Sequence, residues 1–371
     1  MSNFHKLAEI QNALNAKYFE REKEVEAMLI ALLSRQHMLM IGPPGTGKSA
    51  LAADIAKIVS NMNHFQWLLT RFSTPEELFG VLSLKDLEKG VYKRNTKHKL
   101  PEAHLAFLDE IFKSNSGILN SLLTLMNERI FYNNGHPVQV PLMSIIGSSN
   151  EYPEDEEGLK ALFDRFLLRF EVEYVKDDNH FISMLKENTS PLLPSMTLEE
   201  LNNLQFFTEM VSIPEEVYEK LAEVRMALND EGIRPSDRRF KQSLSVLKAK
   251  ALIKQRQHVV VNDIVFLENA LWETPDQKGI TTQVVRTLAQ DTVLRKMEEL
   301  KNDAEEIDGL LDDNSSTEER LEASKKLKVI LGELTTLKNN NPNREQEMNG
   351  VLQKVIAMQK EITNKILDPI N

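Results

Sequence analysis

The apolar positions of this chain change their period along its length. Up to about residue 175, short apolar runs alternate with helical patterns. His37-Met-Leu-Met-Ile41 is an apolar run that ends at a glycine turn and reads as a buried strand. His64–Arg71, Leu105–Leu108, Leu142–Ile146 and Leu167–Val175 read as further strands. Between them, helical spacing covers about 3–34, 48–60, 115–128 and 157–164. Alternation of this kind predicts a three-layer α/β sandwich around a mainly parallel sheet.

After about residue 176 the strand signals stop. Residues 180–275 read as several helices separated by turns at Pro191, Pro194, Pro214, Pro235 and Pro275. From about 281 the pattern is helical and strongly charged. Leu327, Ile330, Leu331, Leu334 and Leu337 share one face, as do Met348, Leu352, Val355 and Ile356, and Asn339-Asn-Asn-Pro-Asn343 breaks the helix between them. The expected organisation is an α/β core over 1–178, a helical domain over 179–278 and a helical hairpin or bundle over 279–371.

Composition narrows the class. The chain has 371 residues, enough for two or three domains, and a net charge of −11, which argues against a protein that coats nucleic acid. It has no cysteine, so disulfides, thiolate metal sites and cysteine nucleophiles are excluded. No apolar run reaches the roughly 18 residues of a membrane span, and the first residues lack a signal-peptide apolar region. The expectation is a soluble, cytoplasmic protein without membrane insertion.

The candidate chemistry begins at Gly42-Pro-Pro-Gly-Thr-Gly-Lys48-Ser49, which matches G-x-x-x-x-G-K-[ST] after a strand and before a helix. Glycines let backbone N–H groups curl around phosphate oxygens, and the following helix adds its positive end. Gly42, Pro44, Gly45, Thr46, Gly47, Lys48, Ser49, Ala50 and Leu51 are the expected nucleotide cradle. Lys48 would reach the β- and γ-phosphates of ATP, and the Ser49 hydroxyl would ligate Mg2+. About 60 residues on, Leu105-Ala-Phe-Leu-Asp109-Glu110 is an apolar strand ending in two carboxylates. Two acids at a buried strand end suit cation chemistry, though an acidic strand exit is also common. Asp109 would hold Mg2+, and Glu110 would polarise the attacking water.

Three more positions follow. The strand at 142–149 delivers Asn150, whose amide can bond the γ-phosphate or the water. Arg165, with Arg169 as the fallback, stands where a guanidinium could cross a subunit boundary and neutralise transition-state charge in a neighbour's site. Arg238 opens a helix in the second domain and is expected to touch the γ-phosphate. Each has a plainer reading: a turn asparagine, an intrachain ion pair, a salt-bridged helix start.

Taken in order, Glu20-Arg-Glu22, GPPGTGKS, Arg71-Phe-Ser-Thr-Pro-Glu-Glu-Leu-Phe-Gly80, Leu-Pro-Glu102-Ala, FLDEI, Leu119-Asn-Ser-Leu-Leu-Thr-Leu-Met-Asn-Glu-Arg129, SSNE, DRF and SDRRF resemble the MoxR family of AAA+ ATPases, close to its RavA branch. The resemblance covers about 17–275. It implies an αβα P-loop core with a helical lid, the 279–371 helices being a C-terminal extension. It also implies a homo-hexameric ring that remodels protein complexes like a chaperone, and a partner carrying a von Willebrand factor A domain. It places Phe19 against the adenine and two β-hairpins at Gly80–Leu100 and Ile130–Pro141, the second with an Asn133-Asn134-Gly135 turn. One departure is visible: the RavA branch inserts a β-rich module where this chain has only the Asn/Pro turn.

Two other functions compete with remodelling. A nucleic-acid motor is favoured by Lys89, Lys93, Arg94, Lys97 and Lys99 on the first hairpin. It is opposed by the overall acidity and by a second hairpin without Lys or Arg. A non-hydrolysing scaffold is opposed by the complete Asp109, Glu110 and Asn150 set. Eight acids and no Lys or Arg between Asp303 and Glu319 read as a solvated turn or as a docking surface.

Overall fold

The computed structural model describes residues 3–153, 157–186, 193–311, 315–341 and 345–367. Pro191, Asp312, Asp313, Pro342 and Asn343, used in the sequence reading, lie outside them. The chain divides into two compact units, Met1–Leu288 and Ala289–Asn371.

The first unit is built on a five-stranded, all-parallel sheet in the order β3 (His64–Leu68), β4 (Leu105–Asp109), β7 (Ser144–Ser149), β1 (Met38–Ile41), β8 (Leu168–Glu171). β1 is buried on both faces, which is why it reads as an unbroken apolar run rather than an alternating one. Helices α1 (Asn3–Lys17), α2 (Glu22–Ser34), α3 (Lys48–Lys57), α6 (Ser116–Glu128) and α7 (Glu157–Arg165) flank the strands. The short β2 (Val59–Ser60) pairs with β9 (Met196–Thr197) outside the main sheet.

The expected single helix over 3–34 is two. The chain breaks at Glu20, whose backbone is left-handed (φ 57°). The break is locked because the Glu20 carboxylate accepts the amides of Lys176 and Asp177, both at 2.9 Å. A lone acidic side chain gives no sign of such distant partners.

The two expected hairpins differ. β5 (Ile130–Asn133) and β6 (His136–Gln139) form an antiparallel hairpin, with Asn134 and Gly135 at positive φ as an Asn-Gly turn requires. Residues 80–100 are not a regular hairpin. Their pairing is one bridge, Leu82 to Arg94, below a short helix α5 (Leu84–Leu87) started by the Ser83 hydroxyl; α4 (Pro75–Phe79) precedes it. Arg94 donates to the Glu76 carboxylate (3.0 Å) and to the Gly80 carbonyl (2.8 Å), so its side chain closes this knob. Lys99 donates to the Glu77 carbonyl at 2.8 Å. Two of the five basic residues of the cluster are therefore engaged within the chain.

Beyond the sheet, α8 (Asp178–Lys186) leads to α9 (Leu198–Met210), α10 (Glu215–Asp230), α11 (Asp237–Ile253) and a 3-10 stretch at Val261–Asn269. α9 starts in a capping box of Thr197 with Glu200. α12 (Gln277–Ala289), expected in the extension, belongs to the first unit but for its last residue. Arg286 there makes two bonds to the Glu268 carboxylate (2.6 and 3.0 Å). The second unit packs α13 (Thr292–Gly309), α14 (Thr317–Asn340) and α15 (Glu345–Leu367) around Ala304, Leu327, Leu334, Met348 and Val355.

The Trp272 ring, 1% exposed, fills the base of the first unit's core, 5.9 Å from the Phe163 ring and 6.5 Å from that of Tyr152. Trp272→Ala is expected to cost about 3–5 kcal/mol, because the emptied volume cannot close around so large a ring. Chemical denaturation followed by circular dichroism measures this as a lower midpoint.

Candidate active site

Parallel pairing ends three strands at one edge of the sheet. β1 runs into Gly42, β4 ends at Asp109, and β7 ends at Ser149. Gly42 donates its N–H to the Ser149 carbonyl at 3.1 Å. A Cβ on Gly42 would stand 2.0 Å from the Val172 carbonyl oxygen, so only glycine lets the loop leave the strand here. Gly47 opens α3 with φ +84°.

The Lys48 ammonium lies across the loop, donating to the carbonyls of Gly42 (2.6 Å) and Pro43 (2.8 Å), with Thr46 Oγ1 at 3.4 Å. Burial lowers its pKa, and the charges of Asp109 and Glu110 work against that shift. The Ser49 hydroxyl donates to Asp109 Oδ2 at 3.3 Å. The other Asp109 oxygen accepts the Ser148 hydroxyl and, at 3.1 Å, the Glu110 amide. Glu110 has a left-handed backbone (φ 53°), a strained conformation for a residue with a Cβ, and this turns its side chain out of the strand direction. Its carboxylate accepts the Asn150 amide and pairs with Lys113 at 3.2 Å. Lys48, Ser49, Asp109, Glu110 and Asn150 are thus in one place.

The donor set selects among metals. Among the described residues no group of three or more His, Cys, Asp or Glu could hold an ion. One hydroxyl and one carboxylate fit a hard cation that keeps waters and takes substrate oxygens, as Mg2+ does, and do not fit a zinc-type site.

Around the loop, Phe19 stacks on His180, with ring centroids 5.6 Å apart at 25°. Arg21 donates to the carbonyls of Thr46 (3.3 Å) and Glu173, and the Tyr174 hydroxyl donates to the Pro44 carbonyl (3.3 Å). Pro44, Gly45 and Ala50 are exposed, whereas the Leu51 side chain is 1% exposed and turned into the core. Any Leu51 contact with a nucleotide is left to its backbone. Ser148, Arg21, Tyr174 and Lys113 were not singled out from sequence. Arg21 and Ser148 had a signal, their places in the Glu-Arg-Glu and SSNE motifs.

The arginines lie elsewhere. Arg165 ends α7 and Arg238 stands in the first turn of α11, and both line a cavity of about 460 Å3 with His37, Asn127, Arg35 and Arg129. His37 precedes β1, so this cavity is at the N-terminal edge of the sheet. The four residues of β1, roughly 13 Å at about 3.3 Å each, separate it from the phosphate loop. Arg238 donates to Asn127 Oδ1. The packing of α11 against α2 and the end of α6 carries it to the edge opposite its own chain's phosphate loop. Arg165 bonds Asp164 at 3.1 Å, and its Nε has no hydrogen-bond partner among the described residues.

Arg169, the alternative to Arg165, is turned into the interior of its own chain. It is 1% exposed and donates to the carbonyls of Phe166 (3.0 Å), Phe163 (3.2 Å) and Trp272. Its guanidinium lies 4.0 Å over the Phe163 ring and 5.2 Å from that of Trp272. Burial and the neighbouring Arg239 push its pKa well below the ordinary arginine value.

Comparison with known proteins agrees with this geometry. Residues 5–191 match the model of the MoxR domain found in MoxR-vWA-beta-propeller ternary systems, and residues 216–285 match an AAA lid domain. Two uncharacterized proteins of Methanocaldococcus jannaschii are similar. One is 37% identical over 304 residues, covering 80% of this chain and 79% of the relative; the other is 38% identical over 274 residues, covering 73% and 72%. The chaperone MoxR1 of Mycobacterium tuberculosis is 22% identical over 264 residues, covering 66% and 68%. The crystal structure of an ATPase candidate from Cytophaga hutchinsonii shares the fold, with a TM-score of 0.63 at 18% identity, covering 77% of this chain and 94% of that one. A strand-ended phosphate loop, an adjoining acidic pair, a helical lid and a family model spanning half the chain lead to one conclusion: this chain belongs to the MoxR family of AAA+ ATPases.

Proposed function

We propose that this ATPase hydrolyses ATP with Mg2+ at the β1–β4–β7 edge, works as a ring of identical chains, and uses the energy to remodel a protein complex. The observation that carries the reading is the split between two edges. Lys48, Ser49, Asp109, Glu110 and Asn150 stand together at one, and Arg165 and Arg238 stand together at the other.

Lys48 and the loop amides bind the phosphates, and Ser49 with Asp109 would hold the metal. A bound Mg2+ supplies charge neutralisation at the phosphate oxygens. Glu110, oriented by Asn150 and Lys113, accepts the proton of the attacking water. Phe19 and His180 wall the adenine. Arg165 and Arg238 cannot serve their own chain's site, so they serve the next chain's, where they neutralise charge on the transferred phosphoryl group. One interface then repeats head to tail, and a ring is the closed form of such a contact.

The family description supports a von Willebrand factor A partner. The acids of the second unit are its proposed docking surface, since such a domain coordinates a metal that a partner carboxylate can complete. Nucleic acid is disfavoured, because Arg94 and Lys99 are engaged in holding the 80–100 knob together. Among the described residues, no helix is long and apolar enough to cross a membrane.

Lys48→Ala is expected to lose ATP binding, measured by calorimetry. Glu110→Gln is expected to keep binding and lose turnover by about a hundredfold or more, the scale of a positioned general base. Wild-type turnover by the glutamine variant would remove Glu110 from this role.

Mixing tests the shared site. Arg165→Ala and Glu110→Gln chains, each inactive, should partly restore turnover when assembled together, because some interfaces then pair an intact Glu110 with an intact Arg165. Turnover independent of protein concentration, with no rescue on mixing, would contradict the ring reading.

A chain ending at Leu288 keeps every residue of the nucleotide site and removes the second unit. It is expected to hydrolyse ATP at the full-length rate and to lose binding to the von Willebrand factor A partner. Equal capture of that partner by the shortened chain would place docking on the first unit.

A further inference from the structure

Asn150 reaches Glu110 from the first residue past β7, so its direction is set by the turn that carries it. Two anchors hold that turn. The near one is local: the Ser149 hydroxyl donates to the Glu151 carbonyl at 2.6 Å and accepts the Glu151 amide at 3.3 Å. The far one is Tyr152. Its ring stands edge-on to those of Phe163 (6.2 Å) and Trp272 (6.5 Å), and its hydroxyl donates to Glu171 Oε1. The aromatic niche would accept a phenylalanine, so what the hydroxyl adds is the bond to Glu171.

Glu171 ends β8 and is fixed by the sheet. It pairs with Ile41, which leads directly into Gly42, and Val172 after it donates its amide to the Ile41 carbonyl at 2.7 Å. The second Glu171 oxygen accepts the ammonium of Lys278, in the first turn of α12. Burial would raise the Glu171 pKa, but the bonds from Lys278 and Tyr152 hold it below the ordinary carboxylate value. Burial and the bond to Glu171 push the Tyr152 phenol up. At neutral pH the carboxylate is therefore charged and the phenol is the donor.

Lys278 lies in the lid, whereas Tyr152 and Glu171 lie in the core. Two turns on, Arg286 holds α12 to the rest of the lid through its two bonds to Glu268. α12 is thus fastened to the lid at Arg286 and to the end of β8 at Lys278. An ion pair as open to solvent as that of Lys278 with Glu171 adds little to stability. Its consequence is geometric, because one carboxylate accepting from both sides fixes the Asn150 turn and the lid helix relative to each other.

We propose that Glu171 is a positioning residue that joins the Asn150 turn, through Tyr152, to the lid, through Lys278, so that the seating of α12 sets how well Asn150 holds Glu110 for the attack of water. The link among the three residues stands on its own geometry. Its effect on turnover rests on the hydrolytic roles given above to Glu110 and Asn150.

Full-length chains carry the test. Tyr152→Phe keeps the ring and removes the hydroxyl. It should lower kcat about tenfold and leave KM for ATP within about twofold, because the phosphate loop is untouched. Lys278→Met should do the same, and Lys278→Arg, which keeps a charged donor for Glu171, should restore most of the rate. Tyr152→Phe combined with Lys278→Met should lose far less than the product of the two single losses, because both arms act through one carboxylate. A residue serving only the fold would lower the denaturation midpoint without this split between kcat and KM. Wild-type kcat in Tyr152→Phe, or a loss carried by KM, overturns the positioning role. A double variant whose loss equals the product of the single losses overturns the link.

Amide hydrogen exchange judges the link without turnover. In Glu110→Gln chains with ATP, Lys278→Met should speed exchange at 150–152 several-fold, because the turn loses one of its two anchors. Unchanged exchange there overturns the link, whatever the rates. Wild-type turnover by Glu110→Gln alone would sink the hydrolytic reading instead, and the exchange result would still decide this one.

Discussion

The register of β7 between β1 and β4 is the constraint on which the rest depends. β1 pairs Met40 with Ser148 and Ile41 with Ser149, and β4 pairs Leu108 with Gly147. Those pairings bring the phosphate loop, Asp109 and Asn150 to one level and set the Ser148 hydroxyl on the Asp109 carboxylate. A slip of one residue in β7 would point Ser148 to the other face of the sheet and separate Asn150 from Glu110. The strained Glu110 backbone persists because the flanking strand and the Asn150 and Lys113 contacts over-determine it.

The same parallel sheet fixes the polarity of the molecule. Every strand carries its chain toward the nucleotide edge, so residues just before the strands collect at the opposite one. His37 precedes β1 and Arg165 precedes β8, while Arg129 ends the helix that leads to the β5–β6 hairpin. That edge becomes rich in guanidiniums while the other holds Asp109 and Glu110. An edge rich in guanidiniums suits the phosphates of a nucleotide held at another copy's opposite edge, the head-to-tail contact that the proposed ring requires. The net charge of −11 conceals this, because a sum over the chain carries no information about where the cations gather.

Much of the site was legible because it is local. The phosphate loop is encoded in eight consecutive residues whose glycines and lysine act on their own backbone. Asp109 and Glu110 follow from an apolar strand with an acidic end. The 133–135 turn announces its hairpin by Asn-Gly chemistry alone. The first insertion failed the same test: it pairs once, and side chains such as Arg94 and Ser83 close it through bonds that no alternation of apolar residues encodes. Arg238 was placed by motif order with the nucleotide, but its position is set by how α11 packs on the core, a long-range matter that no local pattern encodes.

Arg165 and Arg169 show the limit most clearly. They stand four residues apart, in the same sequence context, with acids and aromatics on both sides. Arg169 is covered because Trp272, more than a hundred residues away, closes over Phe163 and offers its carbonyl. Arg165 stays partly open because the segment beside it ends at a cavity rather than a core. A buried cation needs rings and carbonyls arranged around it in three dimensions, and a free one needs their absence. Both conditions depend on tertiary packing, so residue type and spacing put Arg165 ahead of Arg169 for the proposed trans role without separating the two. Burial separates them, since a guanidinium that already satisfies three carbonyls inside its own chain has neither the reach nor the free donors to act on another.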